Sequence, residues 1–221
     1  MNILAIDTST KTTVLGLQTR GEIIDRTKST GKSHSREILP DVSTLVSDAG
    51  LTLAELDAIV FGQGPGSFTG LRIAAGVVQG LGYGLDLPVV PVSTLATLAQ
   101  TRAADADSRV LVALHARAEE VYFGTYGFTG GFAVPLAAEG VCDVRELPAM
   151  NPGNWYGLGD AWHLRKLIEA ATGIRLAGVE ERTIPGVTDL LDLGSQALAE
   201  GRSVSALEVT PVYLREQVAS T

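Results

Sequence analysis

Two short segments of this 221-residue chain carry groups that could meet a phosphate. The first is Asp7-Thr8-Ser9-Thr10, where the apolar run Ile3-Leu4-Ala5-Ile6 gives way to a turn. Hydroxyls and backbone N–H groups in such a turn can cradle an anion, and the carboxylate can hold a metal or a water. The same residues also build ordinary turns, because Asp, Ser and Thr satisfy neighbouring backbone groups. The second segment is Gly62-Gln63-Gly64-Pro65-Gly66-Ser67-Phe68-Thr69-Gly70, which leads into a helix. N–H groups at a helix N-terminus with flanking hydroxyls form a natural anion site. Asp7, Thr8, Ser9, Gly64, Gly66, Ser67 and Thr69 are therefore the candidate nucleotide- or phosphate-binding residues. The spacing is not that of a P-loop, which needs a lysine. It is not G-x-G-x-x-G either, since Ser67 and Thr69 stand where a third glycine is required. A rigid strand-to-helix turn capped by Ser67 or Thr69 fits the segment equally well.

Other chemistry has little to work with. His34, His115 and His163 are far apart in sequence, and no pair has the i,i+4 spacing that puts two metal ligands on one helical face. Cys142 is the single cysteine, so an internal disulfide and a C-x-x-C site are both excluded. No G-x-S-x-G is present, and nothing marks Cys142 as a nucleophile. The sequence predicts no catalytic residue and no metal site.

These segments must be positioned by a packed fold. The chain is 45% hydrophobic and 19% charged, which supports a sizeable core and argues against disorder. Its net charge of −8, with no run of Lys or Arg, lacks the footprint of a protein that grips nucleic acid alone. Residues 1–7 have no basic region ahead of their apolar stretch, and no stretch reaches the roughly 18 apolar residues of a membrane span. A soluble cytoplasmic protein is expected.

Three strand-like runs, 2–7, 12–18 and 22–27, read as a meander. A helix is predicted over 33–49, with Ser33 as N-cap, Gly50 as stop and Pro40 as a possible bend. Thr52 and Glu55 have the spacing of a capping box. A buried strand over 58–61 runs into the glycine-rich segment, and a helix over 71–85, a strand over 88–92 and a helix capped by Ser93 follow. The polar stretch 103–108 is the best boundary, giving units 1–103 and 104–221. The second holds strands over 109–114 and 121–126, short strands and loops over 127–152, and helices over 161–171 and 188–200. This alternation predicts an α/β fold with mixed sheets covered by helices.

The helix over 71–85 is apolar nearly all round and sets Gly76, Gly80 and Gly84 four residues apart. Each glycine costs about 1 kcal/mol relative to alanine inside a helix, so three on one face ask for a compensating close contact. The contact is either the chain's own sheet or another subunit.

The segments Ile3-Leu4-Ala5-Ile6-Asp7-Thr8-Ser9, His34-Ser35-Arg36-Glu37-Ile38-Leu39-Pro40 and Gly64-Pro65-Gly66-Ser67-Phe68-Thr69-Gly70-Leu71-Arg72-Ile73 resemble the TsaB family, formerly YeaZ. Ala116-Arg117, Glu120-Val121-Tyr122 and Pro211-Val212-Tyr213-Leu214-Arg215 continue the match, so it spans nearly the whole chain in order. The resemblance implies an actin-like ATPase or sugar-kinase type fold with two RNase H-like halves. It implies a non-catalytic subunit that pairs with TsaD, which transfers threonylcarbamoyl to tRNA, and works with the ATPase TsaE. It also implies a homodimer when alone, tRNA contact only through the complex, and no required cofactor, with ATP or ADP possible at the complex interface. The first two helices of the N-terminal half form the pairing surface in that family. Here these supply Glu37, Ile38, Asp41, Leu45, Arg72, Gly76, Gly80 and Gly84. TsaD and its relatives carry an H-x-x-x-H metal site that this sequence lacks, and His115 stands where relatives usually have aspartate. An autonomous small-molecule kinase of the same superfamily is the alternative. It would need a carboxylate base and a second phosphate loop, neither of which is evident.

Overall fold

Residues 3–6 are apolar and, with Asp7, fully buried, as a strand covered on both faces must be. They form β1 (Ile3–Asp7), the middle strand of a sheet built with β2 (Thr12–Thr19), β3 (Glu22–Asp25), β5 (Ala58–Gly64) and β6 (Val89–Ser93). A two-residue strand, β4 (Lys28–Ser29), pairs with β2. The computed structural model describes residues 1–29, 34–105 and 107–214. Strand order is β3-β2-β1-β5-β6. β1 runs antiparallel to β2 and parallel to β5, and β5 is parallel to β6.

Helices α1 (His34–Asp48) and α2 (Phe68–Leu85) cover one face of this sheet. Ile38, Val42, Leu45 and Val46 recur at helical spacing along α1 and pack with Leu4, Ile6, Leu15 and Phe61 of the strands. Each such aliphatic burial stabilises by about 1.5–3 kcal/mol. α1 continues through Pro40, and Ser33, predicted as its cap, lies outside the described residues. α2 starts at Phe68, three residues earlier than predicted, because Ser67 caps it by accepting the Gly70 N–H. The opposite face is covered by α5 (Val187–Ala199). Its approach requires glycine on both sides. A methyl on Gly16 would come within 2.2 Å of Val187, and one on Gly194 within 2.4 Å of Val60.

The second sheet contains β7 (Arg109–Arg117), β8 (Glu120–Thr129), β9 (Phe132–Pro135), β10 (Gly140–Asp143), β11 (Trp155–Gly159) and β12 (Leu176–Glu181). The order is β10-β8-β7-β11-β12, with β9 on β8. β7 is antiparallel to β8 and parallel to β11, which is parallel to β12. α4 (Arg165–Thr172) packs Ile168 with Leu111, Trp155 and Trp162 on one face. Leu95, Leu98 and Ala99 of α3 (Thr94–Gln100) pack with Val110, Val112 and Leu158 on the other. Each sheet thus has a middle strand with an antiparallel neighbour on one side and two parallel strands on the other. This is the RNase H-like plan of the actin-like ATPase and sugar-kinase fold, present twice.

The chain divides into Met1–Thr94 with Ile184–Val212, and Leu95–Thr183 with the described residues after Val212. The sequence predicted one boundary between 103 and 104. The crossing instead falls at 94/95, because α3 buries its apolar face on the second sheet, and the chain returns at 183/184, because α5 fits the first. Among the described residues no helix is long and apolar enough to cross a membrane.

Candidate functional site

Asp7 ends β1, β5 ends in the glycine-rich segment, and Thr94 follows the end of β6. All three strands are parallel, so these groups gather at their carboxyl ends, where open α/β sheets generally place their sites. The two segments singled out in the sequence meet here and bond to each other. Asp7 Oδ1 accepts the Ser9 N–H at 2.6 Å, closing the turn. The Ser9 carbonyl accepts the Ser67 N–H at 2.7 Å, and the Thr8 hydroxyl donates to the Gly70 carbonyl at 2.7 Å. Ser67 Oγ accepts the Gly70 N–H at 3.3 Å.

The glycines make this clasp possible. A methyl on Gly62 would lie 1.9 Å from Asp7 Oδ2, one on Gly66 2.5 Å from the Ser9 carbonyl oxygen, and one on Gly70 1.8 Å from the Thr8 carbonyl oxygen. Four donors that a phosphate could meet, the N–H groups of Ser9, Ser67 and Gly70 and the Thr8 hydroxyl, are therefore engaged within the chain. Gly64 faces Leu71 and the Val212 carbonyl instead, and Thr69 is exposed.

Inside the clasp, Asp7, Ser9 and Thr94 are buried. Burial pushes the Asp7 carboxyl above the usual aspartate range, with the Ser9 hydroxyl and N–H and the Thr94 hydroxyl pulling the other way. Those hydroxyls face the carboxyl without reaching hydrogen-bond geometry, so Asp7 Oδ2, Ser9 Oγ and Thr94 Oγ1 are buried without hydrogen-bond partners among the described residues. Thr94 was not singled out in the sequence. Its signal is its place one residue after a buried parallel strand.

The corresponding end of the second sheet is different. The His115 N–H donates to Asp160 Oδ1 at 2.6 Å, its Nε2 lies 2.9 Å from the Ala118 carbonyl oxygen, and the His163 ring is 6.0 Å away. Both histidines are exposed. Among the described residues no group of three His, Cys, Asp or Glu side chains is placed to hold a metal. The Cys142 thiol is pushed up to about 11, first by burial and then by Glu146, Asp143 and Glu120.

The predicted pairing residues divide. Gly76, Gly80 and Gly84 lie on the exposed face of α2, and beyond their own turn of helix no described atom comes within 4 Å of a methyl placed on any of them. Arg72 is exposed on the same face, its guanidinium stacked 3.7 Å from the centre of the exposed Phe68 ring. Glu37 and Asp41 pair with Lys28 at 3.0 and 2.8 Å. Ile38 and Leu45 belong to the core stripe of α1 and are 1% and 0% exposed, so no partner can reach them in this structure. Leu39, beside Ile38, is the large apolar residue that α1 turns outward.

Comparison with known proteins agrees with this architecture. The family model described as "TsaD: tRNA N6-adenosine threonylcarbamoyltransferase" matches residues 22–171. The tRNA threonylcarbamoyladenosine biosynthesis protein TsaB of Escherichia coli (strain K12) is 35% identical over 225 residues, covering 99% of this chain and 96% of that protein. TsaB of Haemophilus influenzae is 33% identical, covering 99% and 95%. The solved structure of YeaZ from Pseudomonas aeruginosa superposes with a TM-score of 0.86 at 36% identity, covering 96% of this chain and 99% of that one. With likeness of this extent in both sequence and fold, the chain belongs to the TsaB (YeaZ) family of tRNA threonylcarbamoyladenosine biosynthesis proteins.

Proposed function

We propose that the chain is the non-catalytic subunit of the tRNA threonylcarbamoyladenosine machinery, pairing with TsaD through the outward faces of α1 and α2. The observation that carries this reading is the glycine stripe of α2. Three glycines, each costing about 1 kcal/mol in a helix, meet no other element among the described residues, so in this reading their compensating contact lies in another subunit. The flat face they leave lets a second helix approach closely. In the same reading the chain self-associates through this face when TsaD is absent, TsaE joins the pair, and tRNA is reached through the complex. The −8 net charge fits a protein that does not grip tRNA alone. The clasp at Asp7 favours support over phosphoryl transfer, because its donors are already engaged; any ATP or ADP then sits at the complex interface.

The test is co-purification with TsaD of the same organism, followed by a tRNA transfer assay with and without this chain. A stable pair and a strong dependence of modification on it are expected. A chain that ignores TsaD and turns over ATP with a small substrate would instead be the autonomous kinase.

A further inference from the structure

The two most exposed large apolar side chains among the described residues, Leu207 at 78% and Tyr83 at 72%, line the same groove of about 480 Å³. Its walls are held by independent means. α2 ends with Asp86 in the left-handed region (φ 54°), and the N–H groups of Asp86 and Leu87 both return to the Gly82 carbonyl. Across the groove, Val204 is tied to Val89 by two backbone hydrogen bonds of 2.8 and 3.0 Å. Glu208 then fixes the following turn by accepting the Ser205 N–H at 3.0 Å and its hydroxyl at 2.7 Å. Leu207 sits on that turn, so its exposure is imposed by a capped backbone.

We infer that this groove is a socket for one arginine or lysine side chain of the protein that lies along α2. The inference rests on the reading that the outward face of α2 is the pairing surface. Tyr83, exposed beside Gly84, belongs both to that face and to the groove. Gly76 to Gly84 is eight residues, about 12 Å along the axis, so a helix laid on the stripe ends at the groove. Charge selects the occupant. Among the described residues Asp86 is the only charged side chain in the lining, and it stands at the negative end of α2. Leu87, Val204 and Ala206 offer an apolar wall to an aliphatic stem, and the Tyr83 ring offers a face to a cation. A long cationic side chain satisfies all of these at once.

The experiment measures the affinity of TsaD for the wild-type chain, Leu207→Ser, Asp86→Asn and Gly80→Leu, with circular dichroism on each. Asn tolerates the left-handed backbone, and Leu207 is exposed, so both groove variants fold. Each is expected to weaken binding by about tenfold, with the Asp86→Asn loss shrinking as salt is raised. Wild-type affinity in both groove variants, with pairing abolished in Gly80→Leu, overturns the socket and leaves the α2 reading standing. Weakening by Leu207→Ser alone shows an uncharged occupant and also overturns it. If the groove variants loosen only self-association, measured by sedimentation of the chain alone, the occupant is a second copy and the proposal fails. A wild-type chain that does not bind TsaD removes the α2 reading and the socket together.

Discussion

The two sheets share one strand order but finish their middle strands in opposite ways. β1 ends in a buried aspartate clasped by glycines, whereas β7 carries, two residues before its end at Arg117, an exposed histidine whose N–H is held by Asp160. Each end keeps one close approach to the neighbouring parallel strand. Gly62 lies against Asp7, and Gly159, at φ 125°, lies against the Ala113 carbonyl. What differs is the packing of the following turn. In the first unit the segment after β5 folds back on the turn after β1 through two hydrogen bonds and two glycine contacts. A shared plan fixes where strand ends gather, and the local glycines decide whether that place is closed.

The sharpest way to break this contrast is Gly70→Ala. The added methyl would meet the Thr8 carbonyl oxygen at 1.8 Å, so the clasp must open. Overpacking commonly costs about 1–3 kcal/mol and sometimes more. We expect a loss at or above the upper end in urea unfolding, while His115→Ala stays within about 0.5 kcal/mol of wild type, as surface changes usually do. Equal losses would show that the two strand ends are alike in tightness.

Gly80→Leu comes next and separates pairing from folding. The substitution adds helix propensity of about 1 kcal/mol on an open face, so the melting temperature should hold or rise while TsaD binding is lost. A correctly folded variant that still forms the heterodimer would remove the interface reading.

A smaller effect is expected from Asp7→Asn. The folded pKa of Asp7 is raised, so its proton is bound more tightly in the folded state. Its contribution to stability is full below the unfolded aspartate value and is lost as pH rises through the raised value. Asn keeps an oxygen for the Ser9 N–H and cannot ionise. The variant should therefore gain on wild type as pH rises from 4 to 8, seen as a growing difference in melting temperature. A pH-independent gap would contradict a strained carboxyl. Least disruptive is alkylation of Cys142, whose thiol is pushed up to about 11 and should react slowly with iodoacetamide at pH 7 and faster above pH 10.

Much of the first unit could be read in advance. β1 to β3 follow apolar runs divided by turns, and Thr52 with Glu55 forms the predicted capping box. The two candidate phosphate segments do come together, but sequence could not say that they would satisfy each other, since donors and acceptors look alike whether facing a ligand or a neighbouring turn. The sequence predicts a late start for α2 because Phe68, Thr69 and Gly70 read as loop unless Ser67 caps them. The family resemblance puts Ile38 and Leu45 on the pairing face, although the same period that marks them as apolar turns them to the sheet. β11 and β12 were not anticipated. Trp155-Tyr156-Gly157-Leu158-Gly159 has glycines that a strand rarely wants, and only the structure shows Gly157 making room for Trp162. The helix over 188–200 is predicted in the second unit, whereas α5 covers the first sheet, because the room that Gly16 and Gly194 leave for it is a tertiary fit that local sequence does not display.

The return of residues 184–212 to the first unit gives the chain an order of assembly. Ribosomes deliver about 5–20 residues per second, N-terminus first. β1, β2 and β5 are all made before residue 65, yet α5 is complete only at Ala199. During that interval the face of the first sheet that carries Gly16 and Val60 has no cover from its own helix, while every strand and helix from β7 to β12 is already synthesised. Residues 95–183 of the second unit are thus an insertion that can fold before α5 exists, and the first sheet, although begun earlier, is covered later.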